Sequence, residues 1–200
     1  MASSGPRYPT SVSQTSSGGT NGFSWSSLTN IYSDNNADAS CIVNYWPYFG
    51  QSAFCQAATF GFSIPTGATI DGIVVEAEKR ESYNSNFVGD YKVQIVKGGT
   101  AQGDNKAKAG GFGGTTRTNH TYGSSTDLWG VAWTAADINS SGFGVAVSHK
   151  TIASPGAHPT AYWDYVRITV YYTEAPAGIA GKLIDGGLIV PNLIDGGLIA

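Results

Sequence analysis

Apolar and polar positions alternate with a period of two along most of this 200-residue chain, the signature of strands with one buried face. Residues 68–80 predict a long strand with Ile73, Val75 and Ala77 on one face and Glu76, Glu78 and Arg80 on the other. Residues 162–173 repeat the pattern, with Val166, Ile168, Val170 and Tyr172 inward and Arg167, Thr169 and Tyr171 outward. Residues 91–97 alternate through Tyr91, Val93 and Ile95, and Phe143, Val145 and Val147 define another strand. In 54–64, Phe54, Ala58, Phe60, Phe62 and Ile64 are expected to share a face. Shorter strands are expected at 40–45, 115–122 and 128–134. The only helical signal is one turn after Thr134, which stands as its N-cap.

Turn chemistry separates these runs. Pro65-Thr66-Gly67 is a turn, Pro47 keeps 46–49 out of a central strand, and the glycine-rich 98–114 reads as a long loop ending in a flexible GGFGG tip. Many short strands, frequent turns and almost no helix predict an all-β protein: an antiparallel β-sandwich of jelly-roll type. The sandwich is expected over 23–174, opening at Trp25 and Leu28. Residues 1–22, rich in Ser, Gly, Thr and Pro, are expected as a flexible N-terminal tail or as an arm that orders on a partner.

Residues 175–200 are expected as a linker and an extended apolar tail. The segment from Lys182 writes one ten-residue unit twice, with Leu-Ile pairs on either side of Asp-Gly-Gly. Leu183, Ile184, Leu188, Ile189, Val190, Leu193, Ile194, Leu198 and Ile199 make nine large aliphatic side chains. Each is worth roughly 1.5–3 kcal/mol when buried. The Gly-Gly pairs prevent a helix and the half-repeats are too short for a hairpin. The segment therefore needs a surface, its own domain or another chain, and because the alternating strands suffice to fill the sandwich, these nine residues are expected to contact another subunit.

Composition narrows the function classes. Charged residues are 12% of the chain and the formal net charge is −3, which argues against a nucleic-acid partner. No stretch is long and apolar enough to span a membrane. The N-terminus carries no apolar run, so secretion by the general route is not expected. Cys41 and Cys55 are the only cysteines, and in a cytosolically made protein two buried thiols are favoured over a disulfide.

Candidate chemistry is sparse. Gly50-Gln51-Ser52 does not complete a nucleophile elbow, and His120, His149 and His158 lack metal-ligand spacing. Glu76 and Glu78 are a conceivable glycosidase pair, but carboxylates two apart beside Lys79 and Arg80 read better as a solvated charged face. Asp34, Asn36 and Asp38 have calcium-loop spacing, yet Ala39 and Tyr45 occupy positions where an EF-hand needs Gly and Glu. Asn119 and Asn139 begin glycosylation sequons, read as chance matches in the absence of a secretion signal. No catalytic residue, metal or cofactor is expected. Trp46, Tyr48 and Phe49, in a proline-containing loop, are the candidates for stacking on a glycan or docking on a protein.

The runs GFSIPTGATIDGIVVEAEKR (61–80), DLWGVAWTAADINSSGFGVAV (127–147) and YVRITVYYTEAP (165–176) resemble small jelly-roll structural proteins of tailed bacteriophages. The resemblance implies a non-enzymatic virion protein, a capsid cement or decoration protein, made in the host cytoplasm. It implies assembly as a homo-oligomer, often a trimer, against the major capsid protein or other virion proteins. The alternatives are a head or tail fibre or receptor-binding module contacting host glycans, and a carbohydrate-binding module outside any virus.

Overall fold

The structure, a computed structural model, describes residues 1–15, 22–43, 50–152 and 158–176. Among these residues, ten strands form two sheets. The strands are β1 (Ala2–Arg7), β2 (Ser11–Thr15), β3 (Ala39–Ile42), β4 (Phe54–Ala58), β5 (Thr69–Glu81), β6 (Val88–Lys97), β7 (Thr100–Gln102), β8 (Thr118–Ser124), β9 (Gly144–Thr151) and β10 (Thr160–Thr173). One sheet runs β1-β10-β5-β8 with β3 also on β10, and the other β2-β4-β9-β6-β7. Every pairing between named strands is antiparallel.

Four pairings are nested: β6 with β7, β5 with β8, β4 with β9, and β3 with β10. A double hairpin wound so that successive pairs fall in alternate sheets is the jelly roll. The predicted all-β antiparallel sandwich is thus the fold, with β10 and β5 joined along almost their whole length at its centre.

Residues 2–15 are not a free tail, and residues 16–21 of the same expected segment lie outside the described residues. Ala2–Arg7 pairs with β10 and Ser11–Thr15 with β4, so one short segment edges both sheets. Ser, Gly and Thr suited the tail reading, but edge strands draw on backbone hydrogen bonds and need few apolar side chains.

Two strand expectations change. The predicted strand 54–64 ends at Ala58, where Thr59 adopts a left-handed φ of 58°. That residue shifts the alternation by one. Cys55 and Ala57 face the main core before it, and Phe60, Phe62 and Ile64 after it. Phe54 instead packs with Val96 and Ala146 on the opposite face of the sheet. Residues 128–134 form a turn, with Trp129 at φ 60° and the Val131 amide donating to the Leu128 carbonyl. Trp129 turns its ring inward, and its Nε1 donates to the Ile73 carbonyl at 2.9 Å. A side chain at Gly123 would collide with that ring. Helix α1 (Ala135–Asn139) follows as predicted, with Thr134 and Asp137 closing a capping box.

Ile73, Val75, Ala77, Val93, Ile95, Val145, Val166, Ile168 and Val170 are fully buried between the sheets. Both cysteines are buried free thiols. Burial pushes Cys41 up to about 12 and raises Cys55 as well, so neither is a nucleophile at neutral pH.

Candidate functional site

The inward alternation of β5 does not stop at Ala77. Lys79 and Glu81 continue it, and both are buried. They sit where β5 enters the turn to β6, so this end of the sandwich carries charge in its interior. Lys79 Nζ reaches across to Asp90 of the facing sheet, 2.7 Å from Oδ1, and donates to the Tyr122 hydroxyl at 2.5 Å. Tyr122 donates in turn to Asp90 Oδ2 at 2.8 Å, and the Lys108 amide donates to the same oxygen. The ammonium also faces the rings of Phe112 at 4.2 Å and Trp163 at 4.9 Å, an aromatic cage for a desolvated cation.

Burial lowers the Lys79 pKa to about 8 against the pull of Asp90. For Asp90 burial acts upward, but the Lys79 charge and the bonds from Lys79, Tyr122 and the Lys108 amide outweigh it and hold the carboxyl below its ordinary range. The resting form at neutral pH is an ion pair. His149 lies beside it, its ring 4.6 Å from that of Trp25 and 6.0 Å from that of Phe112. Neither ring nitrogen has a partner among the described residues, nor does Trp163 Nε1. Burial drives the His149 pKa down to about 3, so the ring is neutral. His120 is lowered to about 4, first by burial and then by Lys79.

The surrounding turns are fastened to this interior. The Glu81 carboxylate accepts the amides of Phe87 and Val88 at 3.1 and 2.7 Å, holding the β5–β6 turn. Asn86 Oδ1 accepts the Gly113 amide and Asn84 Oδ1 the Thr115 amide. The GGFGG segment, expected as a flexible tip, is therefore pinned, and Phe112 plugs the end of the core. A Cβ on Gly111 would lie 2.5 Å from that of Asn86, which is why glycine stands there. Ser52, the elbow candidate, is buried; its hydroxyl donates to the Ala53 carbonyl and accepts the His149 amide.

The other sequence candidates separate. Glu76 and Glu78 do lie on the outer face, but Lys79, read as part of that face, points inward. Arg167 binds Glu76 through two hydrogen bonds of 3.1 and 3.2 Å. Partial burial raises the Glu78 pKa, helped by neighbouring Asp164. The two glutamates share a flat sheet face and do not oppose each other across a cleft.

In the calcium-like loop, Asp38 is engaged by Arg80 and Arg117. Asp164 accepts the amides of Asn35 and Asn36. A bulge in β10 between Trp163 and Tyr165 supplies the extra residue that aims Asp164 at this loop. No cluster of three or more His, Cys, Asp or Glu fit for a metal occurs among the described residues.

Trp46, Tyr48 and Phe49 lie outside the described residues, as do all nine aliphatic tail residues: Leu183, Ile184, Leu188, Ile189, Val190, Leu193, Ile194, Leu198 and Ile199. The residues flanking the 44–49 connection are anchored at the charged end: Val43 donates its amide to the Pro159 carbonyl, and the Thr151 amide donates to Gly50. A groove of about 490 Å³ opens at the opposite end between the 66–69 turn and α1, with half-buried Trp133 in its wall. No helix among the described residues is long and apolar enough to cross a membrane.

No protein family and no curated protein matches the sequence. Among solved structures, one described as "CBM4 structure and function" is 10% identical, with 68% of this chain and 85% of that chain covered at a TM-score of 0.39.

Proposed function

We propose that the protein is a non-enzymatic assembly component, a capsid cement or decoration protein in the virion setting that the sequence resemblance implies. The observation that carries this reading is that the sandwich closes its core by Thr173. β10 ends there, paired with β1 and β3 along one side and β5 along the other. Its inward residues Val166, Ile168 and Val170 have no exposed surface. The nine aliphatic side chains of the duplicated segment follow a domain that has already filled its interior. Apolar surface that a domain does not need is best accounted for by a partner, and assembly through such segments draws on apolar burial and shape. The partners in this reading are further copies of the chain and neighbouring shell proteins.

Deleting Lys182–Ala200 tests it. The expected outcome is a folded sandwich with unchanged circular dichroism that has lost self-association in light scattering, or attachment to particles. Unfolding on deletion would place the segment in the monomer core. An unchanged oligomer that still attaches would remove it from the contact.

A second reading, glycan binding, rests on the Trp133 groove. Its wall combines an indole with the threonines at 66, 69 and 134, and an apolar plate beside hydroxyls suits a sugar ring. Glycan-array binding that disappears in Trp133→Ala supports this reading; an array without hits removes it.

A further inference from the structure

We propose that Lys79 and Asp90 condense to an intrachain amide, Nζ to Cγ, which joins the two sheets covalently. An amine attacks a carboxyl when the two are held in contact, the amine is unprotonated, the carboxyl is protonated, and bulk water is kept out. Contact is given by the 2.7 Å separation of Nζ and Oδ1. Exclusion of water is given by side chains that are 0% and 2% exposed, under the rings of Phe112 and Trp163.

The protons have a path. Lys79 Nζ donates to the Tyr122 hydroxyl, and that hydroxyl donates to Asp90 Oδ2. One shift along these two bonds turns ammonium and carboxylate into amine and carboxylic acid and leaves tyrosine unchanged. Loss of solvation disfavours the charged pair relative to the neutral one, and a desolvated lysine is an activated nucleophile.

The step then balances. The neutral amine adds its lone pair to Cγ. One nitrogen proton passes through Tyr122 to the Oδ2 hydroxyl, the Cγ–Oδ2 bond breaks, and water leaves. Oδ1 remains as the amide carbonyl and Nζ keeps one hydrogen. No oxidant, metal or second substrate is needed. The product exchanges two buried charges for a neutral amide between β5 and β6, a cross-link suited to a domain that must stay folded under load.

The test is mass spectrometry of the full-length chain. The cross-link removes one water, about 18 Da. Asp-Gly steps at Asp71, Asp185 and Asp195 can lose water by cyclising, so the deficit must be mapped. After trypsin, the peptide carrying Lys79 is expected to stay joined to residues 81–92. Recovery of the two peptides separately at full mass would overturn the proposal, as would a deficit mapped elsewhere. Tyr122→Phe keeps the ring and removes the relay. Its linked fraction is expected to grow at least about 100-fold more slowly, the usual weight of general acid–base help. Linkage at the wild-type rate in that variant would overturn the relay. Lys79→Arg supplies the unlinked reference.

Discussion

At one end of the sandwich the space between the sheets is filled by Phe60, Phe62, Ile64, Ile138 and Phe143, with Phe62 and Phe143 in edge contact at 5.8 Å. At the other it holds Lys79, Asp90, Tyr122 and His149 within Trp25, Phe112 and Trp163. The same strands run through both. The apolar end is stabilised by removing hydrocarbon from water, which is insensitive to pH and tolerant of similar shapes. The charged end is held by Lys79, Asp90 and Tyr122, which are costly to bury singly and satisfied only together. Damage at the two ends should therefore have different signatures.

The largest expected effect is Asp90→Ala, which leaves the Lys79 ammonium buried without its counter-charge and should destabilise the fold by about 3–5 kcal/mol relative to the chain with the pair not yet condensed. Denaturant melts measure it, and a loss below about 1 kcal/mol, the range of an exposed pair, would mean that the charged end is wetter than the structure places it. Replacing the set together, Lys79→Met with Asp90→Leu and Tyr122→Phe, should by contrast be neutral or stabilising relative to the chain with its Lys79–Asp90 pair not yet condensed, by up to about 4 kcal/mol. A triple variant as weak as Asp90→Ala would show that shape and not charge governs this end.

pH separates the ends next. The His149 pKa is lowered from 6.5 to about 3, so between these values the unfolded chain holds a proton that the folded chain rejects. Stability is undiminished by this group above pH 6.5. It falls as the pH drops towards 3, at up to about 1.4 kcal/mol per pH unit. His149→Phe should flatten that slope in melts taken between pH 6.5 and 4; an unchanged slope would assign it to other groups.

Smaller effects come from the apolar end and the surface. Thr134→Ala removes the cap of α1 and should cost about 1 kcal/mol, read as a lower denaturation midpoint with no pH dependence near neutrality. Glu76→Gln breaks a part-exposed ion pair with Arg167 and should cost less than about 1 kcal/mol. A larger loss would show that the charged outer face is structural.

Much of the charged end was legible in the sequence. Lys79 and Glu81 have the parity of Ile73, Val75 and Ala77, and His149 has that of Phe143, Val145 and Val147. Reading Lys79 as surface followed its residue type where the alternation said otherwise. The flexible tip at GGFGG followed its glycines and overlooked Phe112, a large apolar residue that needs a covered place. Asp90 could not be found in this way, because a register shift between Asp90 and Lys92 breaks the alternation of β6 where it would have counted.

By itself the sequence determined the fold class, most strands, which face of β5 and β10 is buried, and the capped turn after Thr134. Period-two alternation and capping are local, written over a few residues of backbone geometry. Only the tertiary structure decided that residues 2–15 edge both sheets, that Thr59 reverses the faces of 54–64, and that Lys79 meets Asp90 and Tyr122. Those outcomes depend on which segments the nested pairing brings together, and the energy that selects them lies in contacts between residues far apart in the chain.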